Sequence, residues 1–160
     1  MRTSVLFWKN GAYSNFHPCV FELDGHLFHS AEHAFMHSKS MFCGDANSAE
    51  KILRASTPME AKKLGRKVSG FEEQLWERHR EEIMERVLFA KFYQNHKLRE
   101  RMLALPMDCV FVEASPHDRV WGVGRSSREL KDGATSRGMN LLGKCLDRVK
   151  SQLHALHPVF

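Results

Sequence analysis

The chain has 160 residues, 42% hydrophobic and 27% charged, which fits one soluble globular domain with a sizeable core. Lys and Arg outnumber Asp and Glu by 24 to 19, a net charge of +5 and a pI near 9.2. That balance favours an anionic partner, a phosphorylated nucleotide or a nucleic acid, and no apolar run approaches membrane-spanning length.

Residues 3–8 read as a first strand, stopped by Lys9-Asn10-Gly11. Residues 19–23 and 26–28 flank Asp24-Gly25, a two-residue hairpin signal. Ser30 is placed to cap a helix reaching about Phe42, with Glu32 in its first turn. Asp45 is placed to cap residues 46–55. Thr57-Pro58-Met59-Glu60 carries cap, first-turn proline and capping-box glutamate together. Gly65 inside that helix points to close packing or a nearby ligand. Residues 71–90 form a long helix and 95–105 another, ended by Pro106. Residues 108–114 read as a central strand, and 115–133 as loop. Asn140 then caps a last helix with Leu142, Cys145, Leu146, Val149 and Leu153 on one stripe. The expected fold is α+β, a single compact, mostly helical domain over residues 1–160 around a small β-sheet.

Four cysteines are scattered without a C-x-x-C pair, which excludes a zinc ribbon. Cys19, Cys109 and Cys145 lie among apolar neighbours and read as buried, reduced thiols. The first nine residues do not make a signal peptide. A cytosolic location is expected, or a nuclear one if the source has a nucleus. His33 and His37 stand four apart, but Ala34 occupies the place where a zinc-protease helix needs glutamate. No P-loop, dinucleotide-binding glycine motif or nucleophile elbow is present, and neither a catalytic metal nor a cofactor is expected.

Two acidic blocks stand out. One is Ser30-Ala31-Glu32-His33-Ala34-Phe35, with Lys39 beyond; the other is Val112-Glu113-Ala114-Ser115-Pro116-His117-Asp118-Arg119-Val120-Trp121-Gly122. Two carboxylates brought to one cleft are the usual means of breaking a glycosidic bond, so Glu32 and Asp118 are the candidate catalytic residues. The bland alternatives are a helix-terminus carboxylate and a turn aspartate. Trp76 fits either a core anchor or a stacking surface. Trp121, flanked by Gly122 and Gly124, suits a ligand approaching the backbone. Lys39, Arg66, Arg119 and Arg125 are candidate anion ligands. Asn15 and Asn140 carry amides suited to ribose hydroxyls or a base edge, with a turn and a helix cap as alternatives.

With Tyr13-Ser14-Asn15-Phe16 before these blocks and Gly138-Met139-Asn140-Leu141-Leu142-Gly143 after them, the chain resembles the NADAR family of YbiA-like N-glycosidases. Phe21 to Gly25, Pro58 to Arg66 and Lys91 to Asn95 add to the likeness, which spans about residues 7–153. The resemblance implies hydrolysis of the bond between a ribose and a nitrogen base. The family's substrate classes are phosphoribosylamino-pyrimidine intermediates of riboflavin synthesis and ADP-ribose attached to guanine. The basic charge favours the second, with nucleic acid as a possible partner and no membrane. The resemblance implies catalytic roles for Glu32 and Asp118, and binding roles for Asn15, Phe16, His33, Lys39, Arg66, Trp76, Arg119, Trp121, Gly122, Gly124 and Asn140. Where many relatives have a tryptophan two residues before the glycine of the last motif, this chain has Ser136. The rival readings are a non-catalytic ADP-ribose-binding module and a metal-dependent nuclease using Asp45, Glu50 or the histidines.

Overall fold

The computed structural model describes residues 2–157. They gather into two compact units, residues 15–95 and residues 2–14 with 96–157.

In the first unit, β2 (Phe21–Leu23) and β3 (His26–Phe28) form an antiparallel hairpin in the register Phe21↔Phe28. Asp24 and Gly25 both have positive φ, at 52° and 79°, as a turn matched to strand twist requires. The outer edge of β2 is closed by one side chain. Gln94 Nε2 donates to the Glu22 carbonyl at 2.7 Å, and Gln94 Oε1 accepts the Glu22 N–H at 2.7 Å. Four helices complete this unit: α1 (Ala31–Phe42), α2 (Ala46–Leu53), α3 (Pro58–Gly65) and α4 (Glu73–Gln94). Each N-cap expected from the sequence is made. Ser30 Oγ accepts from the His33 N–H, Asp45 from Ser48 and Thr57 from Glu60. Helix α1 packs against α2, α3 and α4, and buries Ala31, Ala34, Phe35 and Met36. Gly65 closes α3 against α1. A Cβ there would collide with the Met36 side chain, so packing explains this glycine.

In the second unit, β1 (Ser4–Phe7) pairs in parallel with β4 (Val110–Glu113), in the register Ser4↔Val110 to Phe7↔Glu113. Strand β4 is thus half of a two-stranded sheet, not the centre of a larger one. Its apolar sequence reflects the helix covering it. Helix α7 (Leu141–Leu156) lies on β4, with Gly143 bringing its backbone against the Phe111 carbonyl. Asp147 Oδ1 accepts the Phe111 N–H at 2.9 Å. Lys150 is buried, yet its Nζ donates to the Pro106 and Cys109 carbonyls at 3.0 and 2.7 Å. Helix α5 (His96–Leu103) packs on α7. A short helix, α6 (Ser127–Lys131), lies inside the stretch expected to be loop. Its signal was the capping box from Ser126 to Glu129, which both side chains complete.

The architecture is α+β, seven helices and two small sheets among the described residues. No helix of the described residues is long and apolar enough to cross a membrane. All four cysteines are free. Cys109 and Cys145 are buried as expected, while Cys19 is half-buried, its thiol still pushed up chiefly by burial.

Candidate active site

Helix α1 fixes Glu32 in its first turn, where backbone N–H groups favour a negative charge. The residue is only 7% exposed. Its N–H donates to the Asn15 carbonyl at 2.9 Å, tying the Tyr13-Ser14-Asn15-Phe16 segment to the helix start. Asn15 is itself buried. Its Nδ2 donates to Met84 Sδ at 3.6 Å, and its Oδ1 has no hydrogen-bond partner among the described residues.

Lys39 comes two turns after Glu32 and returns to nearly the same helix face. Its Nζ donates to the Gly65 carbonyl at 3.0 Å and lies 4.9 Å from the Phe71 ring centre and 5.7 Å from that of Trp76. Burial pushes its pKa down, Cys43 and the Glu32 charge push it up, and Arg66 pushes it down. The lysine is therefore half-buried and electrostatically coupled to Glu32 and Arg66. Arg66 caps α3 and is exposed. Trp76 packs on Phe35 at 5.5 Å and on Phe42 at 5.8 Å, so it is at once a core anchor and a floor beneath Lys39. Lys62 Nζ lies 5.7 Å from the Phe16 ring centre. Within this unit the fold thus brings Lys39 onto Trp76, with the charges of Glu32 and Arg66 acting on the lysine and Asn15 fixed beside the start of α1. Phe71, 45% exposed beneath Lys39, carries no motif that marks it in the sequence.

His33 is placed differently. Ser30 Oγ lies 2.6 Å from its Nδ1, and its Nε2 lies 3.0 Å from the Ala55 carbonyl. A carbonyl only accepts, so Nε2 carries the proton and Nδ1 accepts from the Ser30 hydroxyl. Both ring nitrogens are occupied within the fold, and none is left for a ligand. Burial lowers the His33 and His37 pKa values. His37 stands against His26, ring centres 4.9 Å apart. Among the described residues no three His, Cys, Asp or Glu side chains come together as a metal site. Asp45, a possible ligand from sequence, spends its oxygens on Ser48 and Ser69.

The second acidic block is a tightly bonded loop. Asp118 Oδ1 accepts the N–H groups of Val120 and Trp121, both at 2.9 Å, and the Asp118 carbonyl accepts from Gly124 at 3.0 Å. The turn role is thus made in full at Oδ1. The carbonyls of Val120 and Trp121 accept the first N–H groups of α7, from Leu141 and Leu142 at 3.1 Å each. They satisfy donors that a helix start leaves open.

One expectation here needs correction, and two glycines have packing reasons of their own. At Gly122 a Cβ would meet the Glu113 and Asp118 carbonyl oxygens at 2.9 and 3.0 Å. Gly124 has φ +64°, which glycine adopts freely, and a Cβ there would meet the Arg119 side chain at 3.0 Å. Asn140 is not a side-chain helix cap. Its Oδ1 accepts the Glu113 N–H at 3.0 Å and its Nδ2 donates to the Phe111 carbonyl at 2.9 Å, fastening β4. Arg125 is drawn to Glu129 at 3.0 Å and to the Thr135 carbonyl at 3.2 Å. Arg119 is exposed, and Trp121 is half-buried beside it. Ser136 stabilises its own turn, its Oγ donating to the Gly138 carbonyl at 2.9 Å.

The chain is similar in sequence to several known proteins. Protein irg-1 of Caenorhabditis elegans is 36% identical over 93% of this chain and 79% of its own. N-glycosidase YbiA of Escherichia coli is 34% identical over 89% of this chain and 81% of its own. The NMR structure of YbiA superposes with a TM-score of 0.78 at 30% identity, covering 99% of this chain and 90% of that one. The riboflavin biosynthesis protein VVA0006 of Vibrio vulnificus is 31% identical over 99% of this chain, which spans 41% of that longer protein. The NADAR domain profile matches residues 6–154, and with these relatives it places the chain in the NADAR family.

Proposed function

We propose that this protein is an N-glycosidase that hydrolyses the bond between a phosphorylated ribose and a nitrogen base, as the names of its YbiA relatives suggest. The observation that carries the reading is Glu32, a buried carboxylate fixed at a helix start and electrostatically coupled to Lys39. Breaking an N-ribosyl bond builds positive charge on the sugar, and a fixed carboxylate stabilises that charge without reorganising. Glu32 also orients the attacking water and takes its proton. The water oxygen becomes the anomeric hydroxyl, and the base leaves with the C–N electron pair and recovers a proton. The Glu32 charge acts on the Lys39 ammonium and raises its pKa. Phe71 and Trp76 offer apolar faces to the base, and Asn15 Oδ1 offers an acceptor. In its own unit, Asp118 Oδ1 holds the loop that carries Arg119 and Trp121.

ADP-ribose joined to guanine is the substrate this account favours, because the net charge of +5 suits a nucleic-acid or dinucleotide context. A second reading, phosphoribosylamino-pyrimidine intermediates, draws on the name of the Vibrio relative. The test is incubation with both substrates and resolution of products by mass. Release of the free base identifies the substrate. Binding of ADP-ribose with no ribosyl bond broken would favour a non-catalytic module.

A further inference from the structure

The phosphate of such a substrate needs a partner that the two acidic blocks do not supply within the first unit. Lys39 donates to Gly65 and lies against two aromatic rings, and Arg66 is solvated. On α4, however, Trp76, Arg80 and Met84 are spaced four residues apart and share one helix face. Trp76 at one end meets Phe35 of α1 and lies beneath Lys39; Met84 at the other receives the Asn15 amide. Arg80 stands between these two contacts, on the face of α4 turned to the Glu32 helix. It is half-buried, and its Nε is buried with no hydrogen-bond partner among the described residues. A guanidinium stays charged at any physiological pH, and a buried N–H without an acceptor costs stability. A site that keeps such a donor open fits an anionic acceptor that arrives with the ligand.

We propose that Arg80 is the phosphate-binding residue of this site, with Nε and a neighbouring Nη donating side by side to two oxygens of a ribosyl phosphate. The assignment of the sugar rests on the glycosidase reading above, but the anion site does not need it. A 5′-monophosphate and a diphosphate present the same oxygens, so the two are separated by ligand choice.

The experiment is calorimetric titration of the wild-type protein, Arg80→Gln and Arg80→Lys with ribose 5-phosphate, ADP-ribose and unphosphorylated ribose. Arg80→Gln should weaken at least one phosphorylated ligand by about 10-fold or more and leave ribose unaffected, with Arg80→Lys recovering part of the loss. The ligand that suffers more identifies mono- or diphosphate as the natural group. Arg80→Met tests for a purely structural role. Without ligand it should melt at or above the wild-type temperature, because the open donor is gone. Unchanged phosphate affinity in folded Arg80→Gln would overturn the proposal, as would equal losses for ribose or a large drop in the melting temperature of Arg80→Met. Arg80-dependent phosphate binding without ribosyl hydrolysis would strike the glycosidase reading alone. Hydrolysis with an unchanged KM in Arg80→Gln would strike Arg80 alone.

Discussion

The backbone N–H of Glu32 donates to the carbonyl of Asn15 at 2.9 Å, so the carboxylate and the open amide oxygen of Asn15 are set by one bond. A buried carboxylate at a helix start and a buried acceptor without a partner are both costly for the fold alone. Their pairing at the start of one helix is what the proposed site is built on, with the Asn15 oxygen left open for a ligand donor.

Lys39 lies over an aromatic floor of Phe71 and Trp76, and the Glu32 charge raises its pKa. Lys39→Ala should lower kcat by about 10-fold or more and change KM far less, because the lost charge acts on Glu32 in the transition state. Steady-state kinetics check this. A rise in KM with kcat intact would make Lys39 a substrate ligand instead.

Asp118 can be tested by separating its charge from its turn. Asp118→Asn keeps an oxygen for the Val120 and Trp121 N–H groups; Asp118→Ala does not. If the loop is what matters, Asn retains most activity while Ala loses both activity and thermal stability. Loss of activity by about 100-fold in a well-folded Asn variant would assign chemistry to the charge.

Asn140→Ala should destabilise the fold by about 2–4 kcal/mol, since it strips partners from the Glu113 N–H and the Phe111 carbonyl at once. Urea denaturation measures this. A change below about 0.5 kcal/mol would mean that water replaces both bonds at no cost.

Burial lowers the pKa values of both His33 and His37. Their folded values lie below the unfolded one, so the unfolded chain binds more protons in between. Stability is therefore fully present above about pH 6.5 and falls as the pH drops below it. Urea midpoints at pH 7.5 and 5.5 should show the decrease, and His33→Gln should reduce it. An equal decrease in wild type and variant would remove His33 from this account.

Local signals gave the architecture early. Ser30, Asp45 and Thr57 each cap the helix their sequence announced, and Asp24-Gly25 makes its turn. These depend on neighbours within a few residues. Strand β4 misled because an apolar strand covered by a helix reads like a central one. Asn140 misled for a related reason. An asparagine before an apolar helix reads as its cap, but only the fold puts the Glu113 N–H and the Phe111 carbonyl beside its amide. Phe71 and Arg80 belong to no motif, and what singles them out is a ring beneath Lys39 and a donor left open on α4.

The central claim is that Glu32 is the catalytic carboxylate of an N-ribosyl hydrolase. Single-turnover release of base from ADP-ribosylated guanosine, and separately from the phosphoribosylamino-pyrimidine, tests it in wild type and Glu32→Gln. The account predicts release from at least one substrate by wild type, and a rate lower by about 100-fold or more in a Glu32→Gln protein with wild-type melting behaviour. A near-normal rate in that variant, or no release from either substrate by the wild type, would contradict it.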